Sequence, residues 1–101
     1  MPNARKASQR QEREAAKKWG GTLNAGSGNG WVRKNDIRSP KFSIECKTTS
    51  ATSYRLTLAD LKKAEQNALL DGRVMIFQIE MGGRLWDVIA DEDLRALVGE
   101  A

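Results

Sequence analysis

The chain contains no histidine and only one cysteine, Cys46. Without histidine, the Ser-His-Asp and Cys-His mechanisms of nucleophilic catalysis are excluded, and so are metal sites built on imidazole. A single cysteine excludes an internal disulfide and, with no histidine beside it, a structural zinc site. Any catalysis must therefore depend on carboxylates, lysines, a hydroxyl group or a bound hard metal ion.

Long hydrophobic runs are also absent. No apolar run approaches the roughly 20 residues that a membrane-spanning helix needs, and the polar stretch at 1–18 contains no hydrophobic segment of a signal peptide. We therefore expect a cytoplasmic, intracellular protein with no membrane partner. The composition, 40% hydrophobic and 30% charged over 101 residues, predicts a single globular domain spanning residues 1–101.

Positive charge is concentrated in the first half of the sequence. Residues 1–50 contain 11 Lys and Arg against 4 Asp and Glu, whereas residues 51–101 contain 6 against 9. A basic half on a small protein indicates a polyanionic partner, of which nucleic acid is the first to consider. A solvated basic helix with no partner explains the charge alone equally well.

Hydrophobic periodicity and turn residues predict the element order α-β-β-β-α-β-β-α, an α/β sandwich around a mixed sheet. The predicted helices are 4–18, 57–70 and 91–98, and the predicted strands are 22–24, 31–38, 42–48, 74–79 and 85–89. Residues 54–56 are interpreted as a short strand or an extended lead-in to the second helix. The apolar stripe predicted for that helix consists of Leu58, Leu61, Ala64, Ala68 and Leu69.

The strand at 42–48 alternates strictly in polarity. Its side chains are predicted to point one way at Phe42, Ile44 and Cys46 and the other way at Ser43, Glu45 and Lys47. The i, i+2 spacing therefore sets a carboxylate beside an ammonium group, with Asp36 arriving from the preceding segment. A Glu-x-Lys pair alone is more often a solvated ion pair on a sheet face, so its neighbours must decide between the two interpretations.

Two carboxylates and a lysine suit the hydrolysis of a phosphodiester. Mg²⁺ binds carboxylates and water, contacts phosphate oxygens and lowers the pKa of a bound water. We expect Asp36 and Glu45 to be metal ligands, with the backbone carbonyl of Cys46 as a further oxygen ligand. Lys47 is expected to orient or deprotonate the attacking water, or to neutralise developing charge. The Cys46 side chain is expected to be a buried small apolar group and not a nucleophile.

The first helix adds a third carboxylate. At about 100° per residue, Glu12 lies in the middle of the only apolar face of this helix, whereas Glu14 lies among the basic residues. A carboxylate directed into a protein interior is costly unless it is paired or bound to a metal. Glu12 is therefore predicted to meet either Lys47 or the metal.

Together these residues resemble the PD-(D/E)XK nuclease superfamily, and within it the small Holliday junction resolvases of archaea and their viral relatives. The motifs that carry the resemblance are a helix bearing Glu-Arg-Glu, an Ala-Gly-Ser loop, Asp-Ile, and Ile-Glu-Cys-Lys-Thr-Thr. They cover residues 10–50, and the likeness in element order covers the whole chain. The sequence departs from the pattern at Asn35, where the motif has proline.

The resemblance implies a restriction-endonuclease-like αβββαβ core and Mg²⁺-dependent hydrolysis, in which Mn²⁺ substitutes. It makes Glu12 a helix carboxylate near the metal, Asp36 and Glu45 metal ligands, and Lys47 the catalytic lysine. Ser27, in the glycine-rich loop, is placed near the scissile phosphate. The implied activity is a structure-selective DNA endonuclease acting on four-way junctions. Because symmetrical cutting of a junction needs two active sites, a homodimer is implied as well. If the chain is viral, its location is the host cytoplasm.

Several basic residues are predicted to follow DNA phosphates beside such a centre. They are Arg10, Arg13, Lys17, Arg33, Lys34 and Arg38. Trp31 is expected either to stack on a base or to close the glycine loop as a core residue, and Trp86 is expected in the core.

Two other functions remain open at this point. One is a nuclease of the same family with another DNA substrate, such as a nickase, a repair endonuclease or an exonuclease. The other is a nucleic-acid-binding module that keeps the fold without the chemistry.

Overall fold

A computed structural model describes residues 4–23 and 35–99 of the chain. The elements are α1 (Ala4–Trp19), β1 (Thr22–Leu23), β2 (Ile37–Arg38), β3 (Phe42–Thr48), α2 (Leu58–Leu70), β4 (Val74–Met81), β5 (Arg84–Val88) and α3 (Asp91–Leu97). The predicted element order is confirmed. None of the helices in the described ranges combines the length and the apolar character needed to cross a membrane.

Within the described ranges, the strands form one five-stranded mixed sheet in the order β1-β2-β3-β4-β5. β3 and β4 pair in parallel, and the other three pairs are antiparallel. Parallel neighbours need a crossover connection, and here α2 provides it. The prediction of an α/β fold with a mixed sheet flanked by helices is therefore confirmed at this level.

α2 begins where the sequence predicts it. The Thr57 hydroxyl accepts a hydrogen bond from the backbone N–H of Asp60 at 3.1 Å, and the Asp60 carboxylate accepts one from the backbone N–H of Thr57 at 3.4 Å. This reciprocal capping box satisfies two N–H groups that the first turn of a helix leaves without intrahelical partners. The start of the helix is thereby fixed relative to the chain that leaves β3.

Alternate residues of the central strands supply two separate apolar clusters, one on each face of the sheet. The cluster under α1 contains Ala15, Ala16, Ile37, Ile44, Cys46 and Ile76. The cluster under α2 contains Ala64, Ala68, Met75, Phe77 and Ile79. Both faces of β3 and β4 are therefore covered, which explains why Met75 to Ile79 are all buried.

α1 lies close to β2 because a glycine follows it. A Cβ atom at Gly21 would stand 2.6 Å from the carbonyl oxygen of Arg38, a distance that real Cβ atoms do not show. The Gly21 N–H closes the helix by donating to the carbonyl of Ala16 at 2.8 Å. The end of α1 is thus held against the short strand that follows Asp36.

Two expectations of the sequence are wrong in detail. Leu58 and Leu69 are 67% and 69% exposed instead of buried. Measured from Ala64, they lie about 120° and 140° around the helix, outside the face that packs on the sheet. Trp86 is 45% exposed at the sheet edge, where its indole N–H donates to the Met81 carbonyl and the Arg84 guanidinium lies over the ring. Residues 54–56 form no strand, so the extended lead-in is the correct interpretation.

We expect Phe77→Leu to lower the free energy of unfolding by about 1–2 kcal/mol, because Phe77 is 1% exposed and a smaller side chain leaves unfilled space. Chemical denaturation measures the change. Leu70→Ala is the matched control, since Leu70 is 79% exposed and its loss should change stability by about 0.5 kcal/mol or less. Equal effects of the two substitutions would contradict the assignment of the core.

Candidate active site

Asp36 lies immediately before β2, beside β3. Among residues 4–23 and 35–99, β2 pairs with β3 only at Ile37↔Ile44 and Arg38↔Ser43. Two residues further along β3, the backbone N–H of Cys46 donates a hydrogen bond to Oδ2 of Asp36 at 2.8 Å. The Asp36 carboxylate therefore takes the place that a strand partner would occupy along this edge of β3.

The backbone carbonyl of Cys46 faces the same edge. In an extended strand the N–H and C=O of one residue point toward the same neighbour, and the N–H of Cys46 points to Asp36. The carbonyl oxygen is thus directed toward the space beside the Asp36 carboxylate. This orientation is the one that the predicted oxygen ligand requires.

Glu45 approaches Asp36 from the α2 face of the sheet. Its side chain is 24% exposed, and its Oε2 lies 3.6 Å from Nζ of Lys47, whose side chain is 44% exposed. Burial raises the pKa of Glu45 to about 8, assisted by the negative charge of Asp36 and by hydrogen bonding with it, while Lys47 acts in the opposite direction. A carboxyl with this pKa holds a proton or a cation more readily than one in water.

Glu12 approaches the same carboxylate from α1. The pKa of Glu12 is raised mainly by burial, and the charge of Asp36 and a hydrogen bond with Asp36 raise it further. Asp36 thus touches one carboxyl from the helix and one from β3. We call the group formed by Glu12, Asp36, Glu45, Cys46 and Lys47 the candidate site.

The thiol of Cys46 sits in the α1-side cluster, beneath these charges. It is 6% exposed, and burial raises its pKa, with further contributions from Asp36, Glu12, Glu45 and Asp87. A thiol with a raised pKa stays protonated at neutral pH and is a poor nucleophile. Only the backbone of Cys46 has the chemistry to serve the site.

The donor set fits a hard divalent cation such as Mg²⁺, which prefers carboxylate and carbonyl oxygens. Within 4–23 and 35–99, no group of three or more Cys, Asp or Glu side chains is already arranged to hold a metal ion. Glu12 and Glu45 each interact with Asp36, and burial together with the negative charge of Asp36 raises the pKa of both. Ligand chemistry and local electrostatics therefore favour a cation here.

Asn35 is a residue whose role the sequence did not indicate. It is 1% exposed, and its Nδ2 donates to Oγ of Ser43 and to the carbonyl of Ala64, both at 2.9 Å. Its Oδ1 accepts from Asn67 at 3.3 Å. Asn35 therefore anchors the segment before Asp36 to β3 and α2, and this fixes the position of the chain where Asp36 begins the candidate site. The available signal in the sequence was that Asn35 stands at the position where the family motif has proline.

A second feature that the sequence did not predict is a buried polar network formed by Gln11, Gln78 and Asp87. Gln11, 0% exposed, donates to the carbonyl and to Oε1 of Gln78 at 3.4 Å, and Gln78 donates to Asp87 at 2.9 Å. Within residues 4–23 and 35–99, the Oε1 atom of Gln11 has no hydrogen-bond partner. Gln78 interrupts the apolar run at 74–79, and that interruption was the signal that could have found the network.

The predicted phosphate contacts divide into two groups. Arg13 and Lys17 are exposed on α1, whereas Arg10 pairs with Glu80 and Arg38 pairs with Asp71 at 3.0 Å. A groove of about 510 Å³ runs between α1 and the β4–β5 turn, lined by Arg10, Glu14, Lys18, Glu80, Gly83, Arg84 and Leu85. The predicted residues Ser27, Trp31, Arg33 and Lys34 lie outside the described residues.

No protein-family model, curated protein or solved structure matches the chain. The chemistry of the candidate site therefore follows from its own side chains and from their positions along β3.

In metal-free buffer we expect the free energy of unfolding to fall as the pH rises from about 4.5 to about 8. Over this range folded Glu45 keeps a proton that the unfolded chain releases, so each step upward in pH favours the unfolded state. The expected loss is on the order of 1–3 kcal/mol, measured by denaturation at several pH values in the presence of chelator.

Glu45→Gln should remove most of this pH dependence, because the amide has no proton to lose. Glu14→Gln is the matched control, since Glu14 is an exposed carboxylate of α1. A slope that survives in Glu45→Gln, or that disappears in Glu14→Gln, contradicts the burial of charge at the candidate site.

Proposed function

We propose that the protein is a metal-dependent DNA nuclease with an active site of the PD-(D/E)XK type. The observation that carries the proposal is the approach of Glu12 and Glu45 to Asp36 beside β3, with Lys47 next to Glu45. Carboxylates that crowd together at a cost in charge repulsion are typical of sites that bind cations or transfer protons. With no histidine in the chain, a hard divalent cation is the partner that best suits this set.

Asp36 and Glu45 would hold Mg²⁺ together with the Cys46 carbonyl, and Glu12 would complete the set from α1; Mn²⁺ would substitute. When bound, the ion offsets the negative charge of the phosphate and makes a coordinated water more acidic. The protein's own contribution is to hold these oxygens in place. Asn35 and the hydrogen bond from Cys46 to Asp36 supply that rigidity.

Lys47 is the remaining polar group of the candidate site. Its ammonium lies 3.6 Å from Glu45 and is almost half exposed, so a phosphate or a water molecule can reach it from solvent. A lysine in this position orients the attacking water or neutralises charge on the leaving oxygen.

The topology agrees with a restriction-endonuclease-like core, which we include in the proposal. Asp36 and Glu45 lie on and beside the antiparallel β2–β3 pair. α2 leads from β3 to its parallel neighbour β4. α1 packs on the face of the sheet opposite to α2. Ligand sites in α/β sheets commonly form where side chains from neighbouring elements meet at a strand edge. The candidate site has this location.

We further propose that the substrate is branched DNA, with a four-way junction as the preferred form, and that the protein acts as a homodimer. The support is the resemblance of residues 10–50 to the small junction resolvases. The exposed basic side chains of α1 provide a surface for more than one phosphate. Two copies related by a two-fold axis would place two sites on opposite strands of a junction.

With Mg²⁺ present, we expect cleavage of a synthetic four-way junction in preference to flap and duplex DNA, and none in chelator. Asp36→Asn and Lys47→Ala should each lower the single-turnover rate by a factor of about 100 or more while DNA binding is retained, because each removes a group that acts on the reacting phosphate. Gel-based cleavage and binding assays measure both quantities.

Lys62→Ala is the matched control, since Lys62 is an exposed lysine of α2 away from the candidate site, and it should cut at the wild-type rate. Binding of DNA without cutting by the wild type would identify a non-catalytic binding module. Preferred cutting of duplex or flap DNA would retain the nuclease and reject the junction substrate.

Arg13→Ala and Lys17→Ala are expected to weaken DNA binding without changing the cleavage rate at saturating DNA. Each substitution should reduce the slope of log Kd against log salt concentration by about 0.9 if the side chain contacts one phosphate. Fluorescence anisotropy over a salt series measures the slope. Lys62→Ala again serves as the control, and an unchanged slope in both α1 variants would remove α1 from the DNA-binding surface.

A further inference from the structure

Tyr54 lies on the α2 face of the sheet, in the extended segment that leads from β3 to α2. It is half-buried and belongs to the partly buried shell of the α2-side cluster. Its ring packs on Phe77 with 6.3 Å between centroids and an interplanar angle of 50°. Tilted aromatic pairs at this separation are favourable, so the position of the ring is fixed by packing.

That packing places the ring beside the candidate site. Phe77 is the direct register partner of Glu45 across the parallel β3–β4 pair. Glu45 and Lys47 share the α2 face of β3, because they are two residues apart. A ring resting on Phe77 therefore lies on the same face of the sheet as both polar side chains, and both are among its electrostatic neighbours.

The hydroxyl of Tyr54 is not needed for this packing. Across residues 4–23 and 35–99, it makes no hydrogen bond with another group. Its electrostatic neighbours are Lys47, Asp60 and Glu45, and burial is the main reason that its pKa is raised. A tyrosine hydroxyl is a hydrogen-bond donor, and this one lies near the ammonium of Lys47.

A neutral donor beside a cation matches the chemistry of a phosphate. Phosphate oxygens accept hydrogen bonds, and tyrosine hydroxyls are among the side chains that contact DNA phosphates. Lys47 supplies charge without strong directionality, whereas a phenol on a fixed ring supplies a directed hydrogen bond. A phenylalanine would satisfy the packing on Phe77 alone, so as far as residues 4–23 and 35–99 are concerned the hydroxyl is available to a phosphate oxygen.

We propose that Tyr54 is a substrate-contacting residue of the candidate site, and that its hydroxyl donates a hydrogen bond to a non-bridging oxygen of the DNA phosphate held beside Lys47. The inference rests on the proposed nuclease function and adds a donor from the α2 face to the groups on β3 and α1.

Tyr54→Phe tests the proposal, because it keeps the ring and removes only the hydroxyl. We expect the single-turnover cleavage rate at saturating DNA to fall about 10- to 100-fold, the usual effect of losing a hydrogen bond to a charged group. The melting temperature should stay within a few degrees of the wild type, since the contact with Phe77 is retained. A wild-type cleavage rate in Tyr54→Phe would overturn the proposal, and so would a rate that falls only as far as the folded fraction does.

A second measurement does not depend on cleavage. Tyr54 is the only tyrosine in the chain, so biosynthetic 3-fluorotyrosine gives one ¹⁹F signal from this position. In an Asp36→Asn background, which should block cutting, a four-way junction is expected to shift this signal at concentrations that saturate binding. A signal that does not move on saturation would exclude contact with the DNA.

The two levels of inference can fail separately. If neither the wild type nor Lys62→Ala cuts or binds DNA, the proposed nuclease function is wrong and the role of Tyr54 falls with it. If the wild type cuts, Lys47→Ala does not, and Tyr54→Phe cuts at the wild-type rate, only the role of Tyr54 is wrong.

Discussion

The hydrogen bond from the backbone N–H of Cys46 to the Asp36 carboxylate links the fold to the candidate site. It satisfies a donor that β2 leaves unpaired when it ends after two residues, and it fixes a negative charge against the edge of β3. Glu12 and Glu45 then approach a carboxylate that cannot easily move away. Burial raises the pKa of both carboxyls first, and the fixed charge of Asp36 raises it further. The three side chains therefore lower the stability of the folded chain when all of them are charged and no cation is bound.

Much of the architecture was predictable from periodicity. The strict alternation of 42–48, the apolar run of β4 and the Thr57–Asp60 cap each gave the correct element, because each pattern acts over a few neighbouring residues. The outward orientation of Leu58 and Leu69 was not predictable from hydrophobicity, since it depends on which face of α2 the sheet covers. Trp86 was misassigned for a similar reason: β5 is an edge strand, and an edge residue can be large without being buried.

The candidate site shows the same division between local and long-range information. The i, i+2 spacing placed Glu45 beside Lys47, and helical spacing turned Glu12 inward, both from local geometry. Asn35 and Tyr54 could not be assigned, because their partners are distant in sequence and become neighbours only through the β3–β4 crossover. The catalytic and DNA-binding roles of these residues stay predictions, since position alone does not establish chemistry.

The parallel pairing of β3 with β4 has a consequence for when the candidate site can come into existence. Its charged residues all lie within the first 47 positions, yet Phe77, the register partner of Glu45, follows 32 residues after it in the sequence. A ribosome-bound chain that has exposed only its acidic segment lacks the strand that withdraws Glu45 from water. The carboxylates can be ordered only after β4 has been synthesised and has paired with β3. This pairing joins residues far apart in the sequence, and such contacts form late in folding. The burial of Glu45 is therefore tied to completion of the sheet, and a truncated product that ends before β4 should carry the motif without the environment that raises the pKa of Glu45.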